Sequence, residues 1–105
     1  MANIKLKYRY RDYANYKNNG EAIFANPQQF SLEQIDATIR IRLLDGEYFY
    51  ASQWGLPDLH FEKYDDENDH PFHEYLGIEI TDEAVTEEIT LTEFLERVIH
   101  NAANW

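Results

Sequence analysis

Two four-residue segments with the pattern of a helix N-terminus limit how this chain can fold. Residues 31–34 (Ser-Leu-Glu-Gln) and 90–93 (Thr-Leu-Thr-Glu) are capping boxes. In such a box the hydroxyl oxygen accepts a hydrogen bond from a free backbone amide, and the Gln or Glu side chain bonds back to the first residue. An apolar residue before each box and another after it form the matching hydrophobic staples: Phe30 with Ile35, and Ile89 with Phe94. Two helices are therefore predicted, beginning after Ser31 and after Thr90.

The apolar residues that follow each box keep helical spacing, which predicts one buried face for each helix. They are Leu32, Ile35, Ile39 and Leu43 in the first helix, and Leu91, Phe94, Leu95 and Val98 in the second. Gly46 suits the left-handed residue that commonly follows a helix end. The first helix is therefore predicted to run to about Leu43.

Other segments read as strands. Apolar or aromatic residues alternate with Lys or Arg between Ile4 and Arg11, a period of two. Asn19-Gly20 predicts a tight hairpin turn, since this pair readily adopts positive φ, and residues 21–24 would form the return strand. Further strands are predicted at 48–50, 59–61 and 76–80, with Glu79 pointing outward and an acidic, exposed loop at 62–71.

These elements indicate a single α+β domain covering residues 1–105. A small antiparallel sheet with two helices packed on one face, in a ββα-ββα-like order, buries one face of every element. The composition of 44% hydrophobic residues supplies enough apolar side chains for a core.

Several chemistries are excluded or disfavoured by composition. The chain has no cysteine, which removes disulfides, Cys-ligated metals and cysteine nucleophiles. Its four glycines are too far apart in the sequence to form a P-loop or a dinucleotide-binding fingerprint. Of the two serines, Ser31 caps a helix and Ser52 lacks a nucleophile-elbow context. We expect no cofactor, no catalytic residues, no membrane segment and a cytoplasmic location.

Charge is distributed unevenly along the chain, whose net charge is −11. Residues 1–42 carry seven Lys and Arg against four Asp and Glu, a balance of +3, whereas residues 43–105 carry two against sixteen, a balance of −14. Such asymmetry often accompanies a charged interaction surface. The alternative is that the halves neutralise each other and the excess acid only aids solubility.

The four bases on the first strand have two interpretations. With Tyr13, Tyr16 and Lys17 they resemble a basic patch that binds nucleic acid through stacking aromatic rings. The interpretation we favour is an outer sheet face or an edge strand, with the bases bridged to acids such as Glu21 and Glu79. Direct binding of nucleic acid is not expected.

Histidines and acids between residues 58 and 74 raise the question of a metal site. His60, His70 and His73 are weak candidate ligands, because imidazole with carboxylate suits zinc or a similar ion. Their spacing matches no known helix motif, and we favour a solvated loop in which His70 and His73 flank Pro71. A small metal-dependent enzyme using these residues remains an alternative function.

The acidic half instead indicates a non-catalytic protein-binding module of the adaptor or inhibitor type. Aromatic anchors among acids would bind a basic partner, with affinity from the aromatic rings and steering from the carboxylates. The expected partner-binding residues are Tyr64, Asp65, Asp66, Glu67, Asp69, Phe72 and Trp105. A second alternative is a nucleic-acid mimic whose carboxylates imitate phosphates and block a DNA- or RNA-binding protein. The oligomeric state stays open.

Residues 8–24 and 45–50 resemble stretches of small bacterial proteins of unassigned function. The resemblance names no family and implies no activity or site; we expect a bacterial or mobile-element protein.

Overall fold

A computed structural model describes residues 2–11, 17–44, 46–57, 59 and 72–102 of the chain. The described elements, in chain order, are β1 (Asn3–Arg11), β2 (Lys17–Phe24), α1 (Leu32–Arg40), β3 (Tyr48–Phe49), a 3-10 helix (Ala51–Trp54), β4 (His73–Thr81) and α2 (Leu91–Ala102).

The strands form one antiparallel sheet in the order β2-β1-β4-β3. The element order is ββα followed by ββα, with the 3-10 helix between β3 and β4. The predicted α+β fold is therefore confirmed. Neither helix is long and apolar enough to cross a membrane, within the part of the chain that is described.

Buried and half-buried residues alternate along β1, which shows that the sheet has a buried face and an outer face. Ile4, Leu6, Tyr8 and Tyr10 are buried, and the residues between them are half-buried on the opposite face. The buried face packs against Ile35 and Ile39 of α1 and against the predicted apolar residues of α2, which are all buried: Leu91, Phe94, Leu95 and Val98. The core therefore lies between the sheet and the two helices.

Both helices begin where the capping boxes predict. In α1, the Gln34 amide donates to Ser31 Oγ at 3.2 Å, and the Ser31 amide donates to Gln34 Oε1 at 3.0 Å. In α2, the Glu93 amide donates to Thr90 Oγ1 at 3.3 Å, and the Thr90 amide donates to Glu93 Oε1 at 3.1 Å. Each box satisfies two backbone donors that a helix N-terminus otherwise leaves free.

The predicted hairpin turn at Asn19-Gly20 is wrong. Both residues lie inside β2, where Asn19 pairs with Arg9 and Gly20 pairs with Tyr8. A Cβ atom at Gly20 would lie 2.9 Å from a methyl carbon of Leu59 and 3.3 Å from the Tyr8 ring. This glycine admits a neighbouring side chain to the strand surface rather than supplying positive φ, which is a common use of glycine within strands.

Other boundaries also differ from the prediction. Helix α1 ends at Arg40, and one tighter turn follows, in which the Leu43 amide donates to the Arg40 carbonyl. Gly46 has the expected positive φ of 72°, but it belongs to the turn before β3. Leu59 is not in a strand, and the rest of the predicted 59–61 strand lies outside the described residues.

The 3-10 helix contributes a core residue that the pattern did not indicate. Trp54 is fully buried and stacks on Phe49, with ring centroids 4.4 Å apart and planes 12° from parallel. Its ring also meets the edge of Phe94, so it joins β3 to α2. Such aromatic pairs stabilise a core beyond their buried area.

Candidate partner-binding surface

The basic residues of β1 are paired with acids on the sheet face opposite the helices. Arg9 Nε lies 2.7 Å from Glu74 Oε1, and Arg11 Nε lies 3.4 Å from the same oxygen. Lys7 Nζ lies 3.4 Å from Glu79 Oε2. The acids come from β4, the strand next to β1, so the pairs follow from strand register.

Lys5 is the centre of a larger cluster on this face. Its ammonium contacts Glu83 directly and lies 3.6 Å from Glu21 and 3.7 Å from Glu79. The hydrogen bond from Lys5 lowers the pKa of Glu83, and the same bond raises the pKa of Lys5. Burial opposes both pKa shifts, but it is the weaker cause for each.

This arrangement matches the outer-face interpretation of β1, including the bridges to Glu21 and Glu79. The edge-strand version of that interpretation is wrong, because β1 lies between β2 and β4. A phosphate approaching this face would compete with carboxylates already bound to the bases. Tyr13 and Tyr16, the aromatic residues of the nucleic-acid interpretation, lie outside the described residues.

Several acids in a segment that runs into α2 form no ion pair with a described residue. We call residues 82–96 the acidic segment; it contains six Asp and Glu and no Lys or Arg. Glu83 binds Lys5, and Glu93 belongs to a capping box. Asp82, Glu88 and Glu96 are exposed and form no ion pair with any described residue.

The acidic segment is held against the sheet by backbone hydrogen bonds. The carbonyl of Ile23 in β2 accepts from the amides of Thr86 and Glu87, at 3.0 and 3.3 Å. The Ile23 amide donates in return to Thr86 Oγ1 at 2.9 Å. The Leu91 amide donates to the Ala25 carbonyl at 2.9 Å. The carboxylates are therefore carried on an anchored backbone.

An apolar groove lies between the two helices, next to the acidic segment. It has a volume of about 490 Å³, and we call it the helix groove. Its lining residues are Phe30, Gln34, Ile35, Thr38, Thr92, Leu95, Glu96 and Ile99. Ile99 is 45% exposed, so part of the apolar lining of the groove meets solvent. Glu96, which forms no ion pair with a described residue, adds a carboxylate to the groove lining.

Of the seven expected partner-binding residues, the structure describes only Phe72. Its half-buried ring lies 4.8 Å from the ring of Tyr50 and 6.1 Å from that of Tyr48, measured between centroids. The others, Tyr64, Asp65, Asp66, Glu67, Asp69 and Trp105, lie outside the described residues. The structure therefore places one nominated aromatic residue in a small aromatic cluster beside β3.

His73 is not in a solvated loop, contrary to the prediction. It begins β4, is 1% exposed, and its Nε2 accepts a hydrogen bond from the Leu59 amide at 2.9 Å. Its ring also contacts the rings of Tyr8, Tyr10 and Phe49. The Nε2 lone pair is thus used inside the fold. His60 and His70 lie outside the described residues, and the described residues contain no group of three or more His, Asp or Glu side chains that could hold a metal.

The helix groove was missed at the sequence level, although a signal existed. Ile99 is four residues after Leu95 of the predicted buried stripe, so the two lie on one helix face. Only the packing of α1 against α2 decides whether that face is covered. Comparison with protein families, curated proteins and solved structures finds no match to this chain.

Proposed function

We propose that this protein is a non-catalytic binding module that uses its acidic C-terminal half to bind a basic protein partner. The observation that carries the proposal is the separation of charge on the folded chain. Among the described residues, the bases of β1 pair with four acids, Glu21, Glu74, Glu79 and Glu83, and exposed acids remain on the acidic segment. An uncompensated acidic surface accelerates encounter with a basic one.

The helix groove suggests what kind of segment the partner offers. Charge steers association, but affinity comes mainly from apolar side chains that lose contact with water. The groove offers Phe30, Leu95 and exposed Ile99 next to the carboxylate of Glu96. We infer that its occupant is an amphipathic basic helix, with apolar side chains in the groove and Lys or Arg towards the acids.

A peptide probe tests this proposal without knowledge of the natural partner. The probe is a synthetic helix with leucine along one face and lysine along the other, and a scrambled peptide of equal composition is the control. Stopped-flow fluorescence across a salt series measures association and dissociation separately. We expect association to slow as salt rises, since the Debye length is ~8 Å at physiological ionic strength. The scrambled peptide is expected to bind more weakly.

Matched variants distinguish the effect of charge on the association rate from the effect of apolar contact on the dissociation rate. Glu88→Gln with Glu96→Gln should slow association several-fold, whereas Glu33→Gln with Glu47→Gln, which removes the same charge elsewhere, should change it less. Ile99→Ser should raise the dissociation rate about fivefold, equivalent to ~1 kcal/mol. The control for it is Ile41→Ser, at a residue that is 74% exposed and does not line the groove. Association that is indifferent both to salt and to Glu88→Gln with Glu96→Gln would overturn the proposal.

A further inference from the structure

One edge of the sheet has no strand partner among the described residues. Strand β4 pairs with β1 along residues 74–81 on one side. On its other side β3 pairs only with His73 and Glu74, and the Tyr75 amide donates to the Glu47 carbonyl at 3.0 Å. From Leu76 to Thr81, this second edge of β4 faces no other described strand. A free strand edge presents unpaired backbone groups that can pair with another chain.

Apolar side chains accompany this free edge. Leu76 is 40% exposed and Ile80 is 60% exposed, and both belong to the few large apolar residues that reach the surface. Glu79 is the only charged residue from 76 to 81, and it is engaged by Lys5 and Lys7 on the outer face. The strand also lacks Lys and Pro, the residues that most often protect an edge from pairing.

A β-bulge shapes the edge at its centre. The register between β1 and β4 shifts between Lys7 and Tyr8, and Leu76 is the extra residue without a partner in β1. Gly77 follows with a φ of 131°, a backbone conformation that residues with a Cβ rarely adopt. Bulges can turn an edge away from partners. Each residue from Gly77 to Thr81 again has a partner in β1, and Ile78 to Thr81 continue as a regular strand beyond the bulge.

We propose that this edge of β4 pairs with the same edge of a second copy of the chain, antiparallel and centred on Ile78. The sequence from Leu76 to Ile80 is self-complementary in that arrangement. Ile78 lies opposite Ile78 and Gly77 lies opposite Glu79, and Leu76, which stands in the bulge, lies next to Ile80 at each end of the ladder. The two four-stranded sheets become one continuous sheet across a two-fold axis.

Neighbouring registers are less favourable. Centring the pair on Glu79 would place the two Glu79 carboxylates opposite each other, and like charges directly opposite destabilise a strand pair. Centring it on Gly77 would bring the Tyr75 amide into the new ladder, but that amide already donates to Glu47. The register about Ile78 avoids both conflicts.

Electrostatics predict how this dimer responds to salt. Each copy carries −11, so two copies repel each other at long range. Salt screens that repulsion, and dimerisation should therefore strengthen as salt rises. Binding of a basic partner to the acidic half should weaken under the same change. The two proposals can thus fail independently, and the dimer does not depend on the proposed function.

Sedimentation velocity at increasing protein and salt concentration tests the dimer. Five residues per copy make a small interface, so we expect a dissociation constant in the micromolar range. Ile80→Lys and Leu76→Lys should each weaken dimerisation at least tenfold, because they place a strongly hydrated charge on the edge. Ile41→Lys is the matched control and should leave dimerisation unchanged. Circular dichroism checks that each variant is folded.

Cysteine cross-linking tests the register and does not depend on the lysine variants. The chain has no native cysteine, so introduced thiols react alone. Under mild oxidation Ile78→Cys should form a disulfide-linked dimer with itself. Leu76→Cys mixed with Ile80→Cys should cross-link more than either variant alone. A protein that stays monomeric at high salt and high concentration would overturn the proposal. A dimer that survives both lysine substitutions, or cross-links as well through Ile41→Cys, would also overturn it.

Discussion

The hydroxyl of Tyr75 donates a hydrogen bond of 2.7 Å to Asp36 Oδ1, which joins β4 directly to α1. Arg40 completes the contact: its Nε lies 2.8 Å from Asp36 Oδ2, and its guanidinium carbon lies 5.1 Å from the centroid of the Tyr75 ring. Burial raises the pKa of Tyr75 well above its ordinary value, and the hydrogen bond to Asp36 raises it further. Helix α1 is therefore fastened to β4 at the residue just before the free edge begins at Leu76.

Removal of this hydroxyl should change stability in a pH-dependent way. Tyr75→Phe should cost about 1 kcal/mol at neutral pH, since it leaves Asp36 without one donor. In the wild type, the unfolded chain loses the Tyr75 proton near pH ~10 while the folded chain keeps it. Stability should therefore fall as pH rises above that value, and it should fall less steeply in Tyr75→Phe.

Urea unfolding at several alkaline pH values measures this difference. Asp36→Asn is the companion variant, because it keeps an acceptor for Tyr75 and removes only the charge. It should therefore retain part of the alkaline slope. Identical slopes in the wild type and in Tyr75→Phe would contradict the prediction.

The two capping boxes should each contribute measurably to stability. Ser31→Ala and Thr90→Ala should each cost about 1 kcal/mol, because each leaves a helix N-terminal amide without its acceptor. Ser31→Asp and Thr90→Asp supply a new acceptor and should restore most of the loss. Denaturant unfolding gives the free energies. If the alanine variants unfold at the wild-type midpoint, the caps do not stabilise these helices.

The Lys5–Glu83 contact should be visible in the titration of one carboxylate. The pKa of Glu83 is held low in the folded chain, mainly by its hydrogen bond from Lys5. The stabilisation is thus present at neutral pH and is lost as pH falls through the folded-state pKa of Glu83. Lys5→Met should raise that pKa, measured by NMR of the Glu83 side chain. An unchanged Glu83 titration would show that the contact does not persist in solution.

His73 should be needed for local order at Leu59. His73→Phe keeps an aromatic ring among Tyr8, Tyr10 and Phe49 but removes the acceptor of the Leu59 amide. Loss of that buried hydrogen bond should cost roughly 1–3 kcal/mol. Hydrogen exchange at the Leu59 amide should also accelerate. Unaltered exchange in a folded His73→Phe protein would contradict the assignment of Nε2 as the acceptor.

The parts of the fold that local sequence could predict are those that local physics determines. Both helix starts and the alternation of β1 depend on residues a few positions apart, and all of them are confirmed. Asn19-Gly20 has the local pattern of a turn, but long-range pairing with β1 and the approach of Leu59 place it inside a strand. The same holds for His73, whose burial depends on rings from β1 and β3.

The candidate surfaces were less predictable for a related reason. The bridges from the β1 bases to Glu21 and Glu79 were expected from the sequence. Those to Glu74 and Glu83 were not, because they depend on how β4 and the residues after it lie against β1, some seventy positions away. The helix groove and the free edge of β4 are places where an element lacks a neighbour. A pattern in one segment can indicate which face is apolar, but only the assembled fold tells which face stays uncovered.

Four further acids of the C-terminal half lie at 65–69, outside the described residues. Asp65, Asp66, Glu67 and Asp69 add four negative charges to the half of the chain that already carries the acidic segment. Replacing all four by Asn or Gln should slow association with the basic helical peptide more than it speeds dissociation, because electrostatic steering acts mainly on encounter. The effect should shrink as salt rises, since screening already removes the steering in the wild type. Stopped-flow kinetics of the wild type and the quadruple variant, at low and high salt, measure both rates. A quadruple variant that associates at the wild-type rate in low salt would leave these four acids with no part in binding, whatever the outcome for Glu88 and Glu96.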